Sequence, residues 1–410
     1  MLQDPRDLYS KILGISRPWQ VAEVELREPE RAVHVTVTYE AEAGYLCPQC
    51  GQAGSRKDGR LRRWRHLDTC QYPTIVSCDV PRVDCAEHGV HQVRVPWAES
   101  SARFTALFEV VVIDWLKETS IAGVARRLSM SWDEANGIMG RAVRRGLERR
   151  KRELVAHLGV DETSFQKRHE YVTVVVDRAN GRVLDVMDDR KKASLEGFFA
   201  QMTPEELAAI ETVAMDMWEP YILVTQDWVP GAEGKICFDK FHVAKHLGEA
   251  VDQVRRREHR ALQQDGDDIL TGTKYLWLQN PDHLSEERWE ELEQLRSCAL
   301  QSARAWSLKE AAMGLWGYLR PGWARKAWKW WLGWALRSRL EPVRKVARMV
   351  REYLWGIINA IVKGVTNAAN ESVNSKIQWI KRMACGFRSR VRFRNAILFH
   401  CGGLDLYPAA

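Results

Sequence analysis

The chain has 410 residues, is 45% hydrophobic, and carries 61 Lys and Arg against 54 Asp and Glu, a formal net charge of +7. That length calls for more than one domain, and that apolar content fills their cores, which marks a folded soluble protein. No apolar run is long enough to cross a membrane, and the opening MLQDPRDLYSKILG lacks the apolar stretch of a signal peptide, so the expected location is the cytoplasm and no membrane partner is expected. The nine cysteines therefore point to metal ligation or buried thiols rather than a disulfide framework. The positive charge is clustered, which favours an anionic polymer as partner.

From about Val21 to Val95 the sequence reads as short strands and turns, with AVHVTVTYEA alternating in strand fashion. CPQCG brings Cys47 and Cys50 onto a tight knuckle, and CAEHG brings Cys85 and His88. Two such pairs supply four ligands for tetrahedral Zn²⁺. Cys70 and Cys78 fall between the pairs, and either could replace a member. The region 1–98 is expected to be a small, β-rich zinc domain.

The next segment, 99–156, reads as helices. Ser120 can cap a short helix ending near Leu128, and Ser131 with Glu134 has capping-box spacing at the start of a second. Ile121, Val124, Ala125, Leu128, Ala135, Ile138, Met139 and Val143 would form the core. Short helix, tight turn and longer helix match a helix-turn-helix. Arg141, Arg144 and Arg145 on the second helix are the expected DNA contacts.

After Leu158 the texture changes. GVDETSF, EYVTVVVD and GRVLDVMDD read as three strands, the last two joined by the turn RANG. A helix, the strand ETVAMDMWEPY, another helix and the strand KICFDKFHV follow, so 157–248 is expected to form an α/β sheet of mixed direction. From 249 to 362 the chain is helical, charged and rich in Trp, broken at Pro321-Gly322. Of Trp323, Trp328, Trp330, Trp331 and Trp334, most are expected in helix-packing core, leaving one or two rings for DNA.

The last region, 363–410, opens with TNAANESVNSKIQWIKR. Ala369, Val373, Ile377 and Ile380 form an apolar stripe. Asn367, Asn370, Glu371, Asn374, Ser375 and Gln378 form a polar one beside it. No acid follows Glu371 until Asp405, while Lys376, Arg382, Arg388 and Arg390 follow closely. Asp161 and Asp216 stand at strand ends, where α/β folds bind ligands. Three convergent carboxylates can hold hard divalent cations that clamp both oxygens of an in-line phosphoryl displacement. The basic residues after Glu371 would neutralise the phosphates of the substrate.

This layout resembles the DDE transposases of bacterial insertion sequences, most of all the ISL-three family. The resemblance covers essentially the whole chain and rests on CPQCG with CAEHG, on GVDETSF, AMDMWEPY, FDKFHV and NAANESVNSKIQ. It implies a zinc knuckle, a helix-turn-helix and an RNase H-like core interrupted by an all-helical insertion. It implies Asp161, Asp216 and Glu371 as the catalytic, Mg²⁺- or Mn²⁺-binding triad. Asp239 and His242 match a D-x-x-H motif near the insertion and are auxiliary candidates. Glu162 also lies near the expected site. The partner implied is double-stranded DNA, at both element ends and target, bound by a homodimer or larger assembly in the bacterial nucleoid. Two alternatives remain at this point, a catalytically inactive DNA-binding regulator and a structure-selective nuclease of the same fold.

Overall fold

The computed structural model describes residues 4–166, 170–189, 191–365 and 368–408. It divides into two compact units, Met1–Arg150 together with the segment from Leu404 onward, and Lys151–Gly403.

The first unit opens with helix α1 (Pro5–Ile12), followed by strands β1 (Trp19–Arg27), β2 (Ala32–Tyr39), β3 (Tyr45–Leu46), β4 (Ala53–Thr69), β5 (Tyr72–Cys85) and β6 (Gly89–Gln92). The strand order is β1-β2-β5-β4-β3, with β6 paired to β5. Two of these strands are long rather than short: β4 has 17 residues and β5 has 14. They pair antiparallel from Ser55↔Asp84 to Thr69↔Tyr72. Trp19, Trp64 and Trp97 meet edge to face beneath the sheet, with centroids 5.1 and 5.4 Å apart, the arrangement that aromatic quadrupoles favour.

Three helices follow, α2 (Ala106–Glu118), α3 (Ile121–Arg127) and α4 (Trp132–Arg149). The Ser120 hydroxyl accepts the Gly123 N–H, and Ser131 and Glu134 complete a reciprocal capping box. Between α3 and α4, Ser129 takes the left-handed conformation, φ +50, which turns the chain sharply. Val124, Ala125, Ala135, Ile138, Met139 and Val143 are buried as their spacing predicts. Strand β4 reaches these helices through backbone bonds of Arg65 to Arg103 and Thr105. The His66 Nδ1 lies 2.8 Å from the Thr105 hydroxyl, which itself caps α2.

In the second unit, β7 (His157–Gln166), β8 (Glu170–Asp177) and β9 (Arg182–Met187) form an antiparallel meander. Helices α5 (Lys192–Phe199) and α6 (Pro204–Ala209) lead to β10 (Thr212–Met215), and α7 (Glu219–Trp228) leads to β11 (Ile236–Phe238). The sheet order is β11-β10-β7-β8-β9, with β10 parallel to both β7 and β11. This is the RNase H-like mixed sheet expected from the sequence.

Helix α8 (Lys240–Gln264) then runs unbroken from the sheet into the helical region, so no boundary falls near 248. Five helices continue it: α9 (Lys274–Leu278), α10 (Glu286–Ser297), α11 (Gln301–Gly314), α12 (Pro321–Arg337) and α13 (Glu341–Glu352). Helix α14 (Leu354–Val362) returns to β11, where Gly356 leaves room for the ring of Phe238. Helices α15 (Ala368–Met383) and α16 (Arg390–Cys401) end the unit. Asn367 lies outside the described residues. Of the five Trp residues on α12, Trp328 and Trp331 are buried, while Trp323, Trp330 and Trp334 are exposed. The helix is packed on one face, so the expectation that most of these Trp residues lie in the core is corrected: three of the five are on the surface.

Burial lowers the pKa of His66 to about 4, so the folded protein keeps this ring neutral. A depressed histidine is protonated first in the unfolded chain, so stability is full above the unfolded pKa and falls as pH drops from 6.5 toward 4. The difference amounts to about 3 kcal/mol. Unfolding free energies of wild type and His66→Gln, from urea titrations, should converge by roughly that amount between pH 7 and pH 4. Parallel pH profiles would show that His66 is not a buried neutral ring.

Candidate functional site

Cys47 and Cys50 sit on a knuckle closed by the Cys47 N–H to Gln52 O bond and by Gly51 at φ +74. Cys85 ends β5, and His88 lies in the turn before β6, where Gly89 has φ +70. The 35-residue separation of Cys50 and Cys85 is spanned by the β4–β5 hairpin, whose two ends are neighbours. A long intervening segment therefore costs the site nothing. Their ligand atoms, with those of Cys47 and His88, all lie within 4.8 Å of one another. Cys50 Sγ is 3.7 Å from Cys85 Sγ, and Cys85 Sγ is 3.6 Å from His88 Nδ1. A tetrahedron with metal–sulfur bonds of about 2.3 Å has edges of about 3.8 Å, so the donors present fit zinc. The backbone N–H of Cys50 is the main cause that lowers the Cys47 thiol pKa. Neither spare cysteine joins the cluster. Cys78 is in the sheet core, pushed up to about 12 by burial, and Cys70 is exposed in the β4–β5 turn.

The helix-turn-helix arginines part company. Arg145 is buried, with Nε 2.6 Å from Glu99 and Nη2 3.1 Å from Glu109, and it donates to the Leu406 carbonyl. Arg141 also grips Glu109, its Nε at 3.0 Å. Positions 141 and 145 lie one helical turn apart and face α2, so these two hold the helix pair together and the expectation that Arg145 contacts DNA is corrected. Nothing in the sequence shows that Glu109 stands opposite. Arg144 points outward and is exposed. Lys376, Arg382 and Arg388 are exposed as well, while Arg390 lies 3.4 Å from Glu170.

The aspartates stand level across three strands, Asp216 and Asp239 just past the ends of β10 and β11 but Asp161 in the middle of β7, so the expectation that Asp161 ends its strand is corrected: β7 runs on past its neighbour β10 by pairing with β8. Strand β10 pairs with β7 at Ala214↔Gly159 and with β11 at Met215↔Phe238. Continued by one or two residues, this register sets Asp161, Asp216 and Asp239 at the same level of three adjacent parallel strands. The Asp161 carboxylate accepts the Glu162 N–H at 2.7 Å and the Asn374 side-chain amide at 2.6 Å. Asp216 accepts the Met217 N–H at 2.6 Å, and His242 Nδ1 is 3.6 Å from the same oxygen. Asp239 caps α8 through the Phe241 N–H at 3.0 Å, and its other oxygen is buried without a hydrogen-bond partner among the described residues. Glu371 is exposed on α15.

Burial raises the pKa of Asp161, and the charge of Asp216 adds to the shift. Burial likewise raises Asp239, with Glu371 and Asp161 adding to it. These acids therefore feel one another across chain separations of many residues; the shifts are offset first by the backbone N–H groups of Glu162 and Phe241, then by the Asn374 amide and the His242 ring. Among the described residues they do not form a group whose oxygens all lie within 4.8 Å. An unpartnered carboxylate oxygen amid like charges fits a hard divalent cation. The amides of α15 are the residues at this site to which the sequence assigned no partner; Asn374 bonds Asp161 and Gln378 bonds Thr163. Their signal was a helix face of amides where a solvated helix has Lys and Glu.

A mixed sheet with level acids, following a Cys–His cluster and a helix-turn-helix along the chain, is the layout of a DDE-class transposase, and the family comparisons give that class. Residues 158–397 match the family model described as transposase of the ISL3 type. Residues 93–143 match the helix-turn-helix domain of transposase family ISL3, and 45–88 match the zinc-finger of transposase IS204/IS1001/IS1096/IS1165. The chain belongs to the ISL3 transposase family. It is 29% identical over 387 residues to the transposase for insertion sequence element IS1001 of Bordetella parapertussis, covering 93% of this chain and 95% of that one. It is 28% identical over 412 residues to the transposase for IS1557 of Mycobacterium tuberculosis, covering 93% and 92%. No helix among the described residues is long and apolar enough to cross a membrane.

Metal analysis of the purified protein should find about one zinc per chain. Cys50→Ser should lose it and destabilise the first unit, whereas Cys70→Ser should keep it. Full zinc content in Cys50→Ser would remove this residue from the ligand set.

Proposed function

We propose that this transposase cuts DNA at the terminal inverted repeats of its insertion sequence and joins the freed 3′ ends to target DNA. The observation that carries the reading is the level placement of Asp161 and Asp216 on adjacent parallel strands, with Glu371 on α15, the helix that bonds to Asp161. Asp161, Asp216 and Glu371 are the catalytic residues and would hold Mg²⁺ or Mn²⁺. When bound, such ions activate the attacking oxygen and stabilise the charge on the leaving one.

Water attacks the scissile phosphorus, the bond to the 3′ oxygen breaks, and a 3′-OH and a 5′-phosphate result. That 3′-OH then attacks a target phosphate and displaces a second 3′ oxygen, so one phosphodiester is exchanged for another. Asp239 and His242 are auxiliary, His242 balancing the acids beside Asp216. Lys376, Arg382 and Arg388, with Arg390 after release from Glu170, neutralise DNA phosphates near Glu371. Arg144 contacts DNA from the helix-turn-helix, and Arg141 contributes by setting that helix in place. Cys47, Cys50, Cys85 and His88 hold Zn²⁺ and stiffen the first unit. Cleaving two ends in concert requires at least two active sites, so the working form is a homodimer or larger assembly on DNA, in the cytoplasm and on the nucleoid.

The test is strand cleavage of a plasmid carrying both element ends. Wild type should nick both ends in Mg²⁺ or Mn²⁺ and not in EDTA. Asp161→Asn, Asp216→Asn and Glu371→Gln should each lose at least about a thousandfold in rate while still protecting the ends in a footprint. Full cleavage by any of the three would remove that residue from the triad. A footprint with no cleavage by wild type in either metal would leave a regulator in its place.

A further inference from the structure

Helix α15 meets strand β7 in matched steps. The Asn370 amide is seated so closely over Gly159 that a Cβ there would overlap it. One turn later Asn374 donates to Asp161 Oδ2 at 2.6 Å. A further turn on, Gln378 Nε2 lies 3.2 Å from the Thr163 hydroxyl. Lys381 then donates to the carbonyl and hydroxyl of Ser164, at 2.6 and 2.9 Å. The helix positions advance by four and the strand positions by two. Four helical residues rise about 6.0 Å and two strand residues about 6.6 Å, so three successive rungs stay in step before the mismatch accumulates. Behind this ladder Val373, Ile377 and Ile380 are buried, which holds the helix down without specifying its longitudinal position. Apolar contact is non-directional; the polar rungs supply the register.

We propose that Asn374 is a positioning residue: it fixes the Asp161 carboxylate and, through the ladder from Gly159 to Ser164, sets Glu371 at its working distance from Asp161. The inference rests on the triad reading given above. Asp161 Oδ1 is held by the Glu162 N–H and Oδ2 by Asn374, and each oxygen keeps lone-pair capacity for a cation. The carboxylate is thus oriented before any cation arrives. Glu371 lies three residues before Asn374 on the same helix, so a slip of one rung would move both together, about one helical turn along the strand.

The experiment uses the full chain and reads Mn²⁺ affinity in the absence of DNA, by the electron paramagnetic resonance signal of free Mn²⁺, alongside end cleavage, footprinting and zinc content. Asn374→Ala should keep its zinc and its footprint. It should bind Mn²⁺ about 10- to 100-fold more weakly, the usual effect of losing a hydrogen bond to a metal ligand, and its cleavage should recover as Mn²⁺ is raised. Glu371→Gln should not cleave at any Mn²⁺ concentration. Wild-type Mn²⁺ affinity in Asn374→Ala, with Glu371→Gln inactive, would overturn the positioning role and leave the triad standing. Full cleavage by Glu371→Gln would instead overturn the triad. If Asn374→Ala fails to fold, Gly159→Ala provides the second route. It should weaken Mn²⁺ binding at least tenfold, and adding Asn370→Ala should restore most of the loss. A double variant no better than the single one would refute the ladder.

Discussion

The contact of α15 with β7 is the constraint on which the catalytic unit depends. The three residues proposed as the triad come from a strand, a strand end and a helix that follows the whole helical region. Proximity of the two aspartates follows from sheet register alone, because β7 and β10 are parallel neighbours. Glu371 has no such guarantee. Its place is secured by amides that bond to the very strand carrying Asp161. This accounts for a helix face built of Asn and Gln: an apolar seam would bury the helix but let it slide, whereas directional donors stop it at one position.

The helical region serves the same end. The chain leaves the sheet at β11 through one continuous helix and comes back along α14, which packs on β11 itself. Departure and return therefore occur beside the strand that carries Asp239. Trp328 and Trp331 fill the interior of this excursion, the latter donating its indole N–H to the Leu308 carbonyl at 2.8 Å. The first unit uses charge in a similar way. Arg145 and Arg141 share Glu109 and add directional bonds to two helices that otherwise bury apolar side chains such as Phe108, Ile113, Ile138 and Met139. A buried ion pair of this kind contributes little net stability, but removing one partner is costly.

Much of this is legible in the sequence. The C-x-x-C and C-x-x-H pairs, the capping-box spacing at Ser131 and the RANG turn each carry a local physical signal, and local signals survive in one dimension. What was hidden is pairwise and long-range. The two long strands β4 and β5 read as short ones because exposed arginines and glycines interrupt the alternation of β4. The partnering of Arg145 depends on Glu109 and Glu99, far away in the chain. The level alignment of Asp239 with the other two aspartates appears only once strand register is known. Sequence reading treated the arginines of α4 as one basic face, whereas the helix turns two of them inward.

The most direct measurement is Fe²⁺ affinity cleavage of the polypeptide, in which iron bound at the divalent site cuts the backbone nearest to it. A single site built by Asp161, Asp216 and Glu371 predicts three cuts, one beside each residue. All three should be suppressed together by excess Mg²⁺ and weakened together in Glu371→Gln. Cuts confined to one or two of these segments, or differing in their response to Mg²⁺, would contradict the claim that these three distant stretches of chain close around a common cation.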